Sequence, residues 1–208
     1  GSLDYVHSDT GSEYTIDYSN TSYDWNNMLD DYSGTSTQQQ QEAVGKLMLE
    51  CGIACKAAYD YESTSASLPF VALNKYYNYE CMYVDRDYHS STTIAGINSS
   101  DYYISTSKWM SIIKDELYAG RPIIYSATEG NSYIYLTPPV SHCFIIDGID
   151  ANNLLHVNWG WGGKHDGYYD IALLNPDISY NYDRALFYGH AMVIGIKPRE
   201  TEYKEAVY

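Results

Sequence analysis

Two short β-rich runs on either side of a turn constrain the fold of this chain more than any other feature. Residues 142–148 and 154–161 are rich in apolar and aromatic side chains, and residues 150–153 between them are Asp, Ala, Asn and Asn, which favour a reverse turn. The two runs are therefore predicted to pair as an antiparallel hairpin. With the turn centred near residue 151 or 152, His142 lies opposite about residues 160 to 162, which predicts proximity but leaves the exact register open.

A helix is predicted from about residue 37 to residue 51. Thr37 and Gln40 have the spacing of a capping box, and Gly52 follows where a helix can end. Gly45 lies inside the helix, where it costs about 1 kcal/mol relative to Ala, so close packing against a neighbour is expected there. One apolar stripe is predicted to face the core: Ala43, Val44, Leu47, Met48 and Cys51.

The remaining elements predict the fold class. A second helix is expected after residues 105–107, with its end just before Gly120. From Pro122 onward, short β-rich runs are separated by Gly, Asn, Asp and Pro. Helices mainly in the first half and an antiparallel sheet in the second half indicate an α+β fold. At 208 residues, we interpret positions 1–208 as a single domain.

Composition and charge argue against several classes of protein. The chain is 45% hydrophobic and 19% charged, as is typical of soluble globular proteins, and it has no apolar run of the roughly 18 residues that a membrane span needs. Twelve Lys and Arg against 27 Asp and Glu give a net charge of −15, which repels phosphate backbones, so nucleic acid is not a predicted partner. The chain has 25 Tyr and only three Phe. Tyrosine suits half-exposed sheets and binding surfaces alike.

The predicted hairpin places His142 near Asn158 and Trp159, because paired strands are only about 4.8 Å apart. An Asn carbonyl can accept a hydrogen bond from one ring nitrogen and leave the other nitrogen to take a proton from a thiol. The indole of Trp159 would exclude water from that bond. The pattern therefore fits a histidine general base, but the hairpin alone favours a packed, hydrogen-bonded histidine without a catalytic role.

Other chemistry-bearing residues give weaker signals. The histidines lack the spacing of a zinc site, so neither a metal nor another cofactor is predicted. Asp147 and Asp166 each precede a glycine and are interpreted as turn residues. Cys143 directly follows His142 on a strand, so the two side chains are expected on opposite faces. None of the cysteines is a predicted nucleophile, and all four are expected to be buried thiols: Cys51, Cys55, Cys81 and Cys143.

Six segments between about residues 14 and 198 resemble the streptopain family of cysteine endopeptidases, in the same order and with the same spacing. The most specific are the histidine segment and the NWGWGG segment. The segments are "YDWNNMLDDYS" (23–33), "QEAVGKLMLECGIACKAAYDY" (41–61), "IIKDELYAGRPIIYSA" (112–127), "SHCFIIDGID" (141–150), "HVNWGWGGKHDGYYDI" (156–171) and "MVIGIKP" (192–198). The resemblance implies a papain-like fold, bacterial export, a secreted or cell-surface location and an inhibitory prosegment or inhibitor protein as a partner.

The same resemblance implies roles for individual residues. His142 takes the place of the catalytic histidine, and Asn158 and Trp159 fall on the motif that orients and covers it. Trp161, Gly162 and Gly163 continue the wall of the cleft. The family normally has Ala where this chain has Cys143.

The chain departs from the family in its nucleophile. The family's cysteine opens a helix upstream of "YDW", and no such segment occurs in these 208 residues. A helix N-terminus lowers a thiol pKa and supplies donors to an oxyanion, so the 208 residues alone are expected to be inactive. The predicted function is a cysteine endopeptidase acting on peptide or protein substrates, with the nucleophile outside the sequence. The alternative is a catalytically inactive relative that binds a peptide, a glycan or another protein.

Overall fold

The computed structural model describes residues 2–6, 11–59, 64–65, 69–86, 104–129, 141–171 and 186–200. Its contacts divide the chain into two compact units, which we describe separately. The first comprises Gly1–Tyr79 with Arg199–Tyr208, and the second comprises Glu80–Pro198. The single domain expected from the chain length remains a prediction.

The described residues of the first unit form two α-helices, a short 3-10 helix and two small antiparallel sheets. The strand β1 pairs with β2, and β3 pairs with β4. The elements are β1 (Ser2–Val6), β2 (Glu13–Asp17), a 3-10 helix (Trp25–Asn27), α1 (Gln38–Ala54), β3 (Ala58–Tyr59), β4 (Thr64–Ser65) and α2 (Pro69–Tyr76).

The predicted start of α1 is confirmed, but its predicted end is wrong. Thr37 and Gln40 form the expected capping box. The helix continues through Gly52 to Ala54, because Ile53 and Ala54 are both buried and keep the last turn packed. Tertiary burial thus outweighs the helix-ending tendency of a glycine.

The predicted packing of α1 is also partly wrong. Met48 is 66% exposed, and Gly45 has no neighbour within reach of an added Cβ. Instead, Glu50 is buried, because its carboxylate accepts hydrogen bonds from Tyr23 (2.7 Å) and Thr21 (2.9 Å). A charged residue can occupy a core-facing position when its oxygens are satisfied in this way.

The described residues of the second unit form one helix and a six-stranded sheet. The strand order is β5-β10-β6-β7-β8-β9, and neighbours from β10 to β9 run antiparallel. The elements are β5 (Tyr79–Asp85), α3 (Thr106–Tyr118), β6 (Ile123–Glu129), β7 (Ser141–Ile149), β8 (Leu155–Asn158), β9 (Gly167–Tyr169) and β10 (Leu186–Pro198). Helices mainly in the first half and an antiparallel sheet in the second half confirm the predicted α+β class.

The helix α3 lies where the sequence predicts it and supplies part of the core. Ser105 caps it by accepting a hydrogen bond from the Lys108 N–H, and the chain turns away at Gly120, where φ is 71°. Trp109, fully buried on this helix, donates its indole N–H to the hydroxyl of Tyr125 on β6 at 2.9 Å.

The predicted β7–β8 hairpin forms, and its register lies within the range that the predicted turn allows. Ile145 pairs with Asn158 and Ile146 pairs with Val157. The pairing shifts by one residue at Asp147, which is a bulged strand residue and not the turn residue that its following glycine suggested. The Asp147 carboxylate lies 2.6 Å from Nδ1 of His156, so a hydrogen bond across the hairpin accounts for this residue.

Candidate active site

His142 lies near the start of β7 with its side chain on the core face of the sheet. Its ring centroid is 6.0 Å from that of Phe144, the next residue on the same face. Its Cα pairs with Ala127 of β6, and continuing the β7–β8 register sets it opposite Trp161. The residue is half-buried, so part of its surface remains accessible to solvent.

Two tryptophans pack against the His142 ring. The ring centroid of Trp159 lies 5.9 Å from it and that of Trp161 lies 4.8 Å from it, both in stacked orientations. Trp159 is fully buried, whereas Trp161 is 45% exposed. One indole thus belongs to the core and the other forms an outer wall, which is the arrangement needed to keep water from one face of the imidazole.

The orientation of His142 is fixed by a main-chain group. Its Nε2 lies 2.9 Å from the carbonyl oxygen of Trp159. A carbonyl oxygen can only accept, so Nε2 carries the proton and donates it. In the neutral ring this leaves Nδ1 unprotonated and able to accept a proton, as a general base must.

Asn158 does not make the contact that the sequence suggested. Its Cα pairs with Ile145, so its side chain is on the face of the sheet opposite to His142. The Asn158 Oδ1 accepts a hydrogen bond from the Gly160 N–H at 2.9 Å. Its link to His142 is therefore indirect, because that N–H belongs to the same peptide group as the Trp159 carbonyl.

The loop after Trp159 turns sharply and returns to the site. Gly162 and Gly163 have φ angles of 64° and 82°, a conformation that other residues adopt only under strain. Both glycines are exposed. Asp166, at the end of the loop, accepts a hydrogen bond from the Trp159 N–H at 2.9 Å. The sequence gives no signal of this contact, because an Asp-Gly pair is typical of any turn.

No cysteine of the second unit is placed to react with His142. Cys143 points to the opposite face of β7, as predicted. Cys81 is on the edge strand β5, three strand spacings from β7 or about 14 Å.

In the first unit, Cys51 and Cys55 lie at the C-terminal end of α1, where the helix dipole disfavours a thiolate. The expectation that the thiols are buried is wrong for all four: Cys51 and Cys143 are exposed, and Cys55 and Cys81 are half-buried.

The part of the chain that the structure describes contains no group of three or more His, Cys, Asp or Glu side chains arranged to hold a metal ion. None of the described helices is both long enough and apolar enough to cross a membrane.

Sequence comparison identifies relatives of this chain. The profile of the Peptidase C10 family matches residues 1–169. Streptopain of Streptococcus pyogenes serotype M28 is 34% identical over 180 residues, which cover 85% of this chain and 40% of streptopain. The chain therefore spans well under half the length of this curated relative.

Structural comparison gives the same family likeness. The structure of active wild-type interpain A cysteine protease from Prevotella intermedia is similar to this chain, with a TM-score of 0.72 and 32% sequence identity. The match covers 92% of this chain and 72% of the interpain A chain. A prointerpain A fragment from the same organism, in which a cysteine is replaced by alanine, has a TM-score of 0.67 and 32% identity, with 96% of this chain and 57% of the fragment covered. These likenesses confirm the papain-like fold.

Proposed function

Because the chain belongs to the Peptidase C10 family, we propose that it is the histidine-bearing part of a cysteine endopeptidase that hydrolyses peptide or protein substrates. The nucleophilic cysteine of this proposal lies outside the 208 residues. The observation that carries the proposal is the hydrogen bond from His142 Nε2 to the Trp159 carbonyl. A histidine held in this way presents a basic Nδ1 beside an exposed aromatic wall.

The proposed reaction is acyl transfer. His142 Nδ1 takes the proton of the cysteine thiol, and the thiolate attacks the peptide carbonyl. The imidazolium then gives its proton to the leaving amine as the carbon–nitrogen bond breaks. In the second half, His142 takes a proton from water, whose oxygen attacks the thioester and releases the acid together with the free thiol.

Each neighbour of His142 has a role in this proposal. The Trp159 carbonyl keeps Nε2 protonated, and Asn158 supports that carbonyl through the Gly160 N–H. Trp161 covers the imidazole and forms the cleft wall, and Gly162 and Gly163 let the wall turn tightly.

The relatives extend the proposal to the whole protein. Streptopain and the thiol protease/hemagglutinin of Porphyromonas gingivalis are bacterial proteins, and prointerpain A is named as a precursor. We propose by analogy that the full protein is bacterial, is secreted or displayed at the cell surface, and is made with an inhibitory prosegment. A separate inhibitor protein, which would block the enzyme as the prosegment does, is a second proposed partner.

The test is to express these residues together with the segment encoded before Gly1 and to measure cleavage of an unfolded protein such as reduced casein. We expect hydrolysis that is blocked by a thiol-alkylating reagent and absent from the 208-residue chain alone. His142→Ala is expected to lower kcat by about 10²- to 10⁴-fold, the contribution of a general base. The matched control is His156→Ala, which removes a histidine from the same hairpin on the opposite face of the sheet.

A clear negative result would overturn the proposal. If the longer protein folds and shows no thiol-dependent cleavage, the catalytically inactive binding protein is the better interpretation. The tyrosine-rich, acidic chain would then be screened against peptides, glycans and proteins.

A further inference from the structure

The main chain of Trp159 is held by a hydrogen bond at each end of the residue. Its carbonyl accepts from His142 Nε2 at 2.9 Å, and its N–H donates to Asp166 Oδ1 at 2.9 Å. The carbonyl that orients the histidine is therefore attached to a residue that Asp166 holds in place.

The backbone of Trp159 lies just beyond the last residue of a strand. The strand β8 ends at Asn158, and Gly160 has a φ of 79°, so no strand pairing holds the chain immediately after Trp159. Asp166 reaches back across this loop from the residue just before β9, which is paired to β8. Its carboxylate thus joins the residue that follows β8 to the residue that precedes β9.

We infer that Asp166 is a positioning residue for His142, acting through the main chain of Trp159. The catalytic part of this inference rests on the proposed function. Its structural part concerns only Asp166, Trp159 and His142. Asp166 touches neither the reacting atoms nor the imidazole. It sets the position of the carbonyl that selects the Nε2–H tautomer, which leaves Nδ1 to accept the thiol proton.

The direct test uses nuclear magnetic resonance on the 208-residue chain, which needs no nucleophile. Long-range ¹H–¹⁵N spectra at a pH where His142 is neutral report which ring nitrogen carries the proton. We expect the Nε2–H tautomer in the wild type and in Asp166→Asn, because the amide oxygen can still accept from the Trp159 N–H. Asp166→Ala removes the acceptor, and we expect a mixture of tautomers and at least about tenfold faster exchange of the Trp159 amide.

Asp147→Asn is the matched control, since it changes an exposed carboxylate of the same hairpin that bonds His156. It is expected to leave the His142 spectrum unchanged. If folded Asp166→Ala keeps the wild-type tautomer, the inference is overturned. Should Asp166→Ala fail to fold, the through-hydrogen-bond coupling between the Trp159 amide nitrogen and the Asp166 carboxyl carbon in the wild type decides: its presence supports the inference, and its absence overturns it.

Activity gives a second readout in the longer protein. Asp166→Ala is expected to lower kcat by about 10- to 100-fold with little change in KM, the scale of a misplaced catalytic group, while Asp166→Asn stays within about threefold of the wild type. Equal losses of kcat in both variants would overturn the positioning role. A wild-type longer protein without any activity would overturn the proposed function instead, and the tautomer measurement would still test Asp166.

Discussion

Glu116 offers the sharpest test of what holds the sheet and helix of the second unit together. This buried residue on α3 accepts three hydrogen bonds: from Nε and Nη2 of Arg121 at 2.7 and 2.9 Å, and from the N–H of Gly195 on β10 at 2.8 Å. It therefore joins the end of α3 to the sheet. Desolvation raises the pKa of Glu116, but the hydrogen bonds from Arg121 and Gly195 outweigh it, so the pKa lies below its usual value.

The expected cost of Glu116→Ala follows from these contacts. Removing one partner of a buried ion pair costs about 3–5 kcal/mol. The Arg121 side chain is 32% exposed and can be hydrated again when its partner is removed. The expected loss in the free energy of unfolding therefore lies near the lower end of this range, at about 3 kcal/mol. The buried cavity left by the side chain and the unpaired Gly195 N–H prevent a smaller value.

The same contacts predict how stability depends on pH. Because the folded pKa is depressed, the stabilisation by the Glu116 carboxylate is complete above the unfolded value, near 4.5, and is lost as the pH falls through the lower folded value. Glu116→Gln cannot titrate, so it is expected to be less stable than the wild type at pH 7 and to lose less stability below pH 4.5.

The assay is urea unfolding followed by tryptophan fluorescence at pH 7 and at several values below 4.5, since Trp109 is buried in the same unit. Asp115→Asn removes an exposed carboxylate from the same turn of α3 and is the control, expected to change the free energy of unfolding by less than about 0.5 kcal/mol. A Glu116→Ala effect no larger than this control, or identical pH slopes for Glu116→Gln and the wild type, would refute the reasoning.

Two further substitutions test the core and the cleft wall. Tyr125→Phe removes the hydroxyl that accepts from the buried indole N–H of Trp109, so a loss of about 1–3 kcal/mol in the free energy of unfolding is expected, against less than about 0.5 kcal/mol for the 75%-exposed Tyr118→Phe. An equal effect of both would contradict this account. Trp161→Ala removes the ring stacked 4.8 Å from His142, worth about 0.5–1.5 kcal/mol, so kcat/KM of the longer protein is expected to fall about two- to tenfold, whereas Trp161→Phe is expected to lose less. If kcat/KM is unchanged in Trp161→Ala, Trp161 is not part of the cleft wall.

The hairpin could be predicted from sequence because two independent signals agree. The turn residues fix the loop length, and the alternation of side chains fixes which residues face the core. Leu155 and Val157 are buried on β8, and so are Phe144 and Ile146 on β7, so a one-residue slip of either strand would move its own buried pair to the opposite face. The register therefore follows from burial.

The errors arise where tertiary contacts decide. The end of α1 depends on the burial of Ile53 and Ala54, and the position of Glu50 depends on hydroxyl groups of Tyr23 and Thr21, far away in sequence. The periodicity of apolar residues cannot reveal such partners, because it assigns every glutamate to the surface.

Asn158 shows that a sequence motif can be recognised without revealing which contacts its side chains make. Once the register puts Asn158 opposite Ile145, strand alternation places its side chain away from His142. The amide oxygen instead binds the Gly160 N–H, and the carbonyl of that same peptide group accepts from His142. Hydrogen bonds at both ends of a peptide group polarise it and strengthen one another. A side chain on the far face of the sheet can thus support the orientation of the histidine without touching it, through a group that every residue possesses and no sequence pattern reveals.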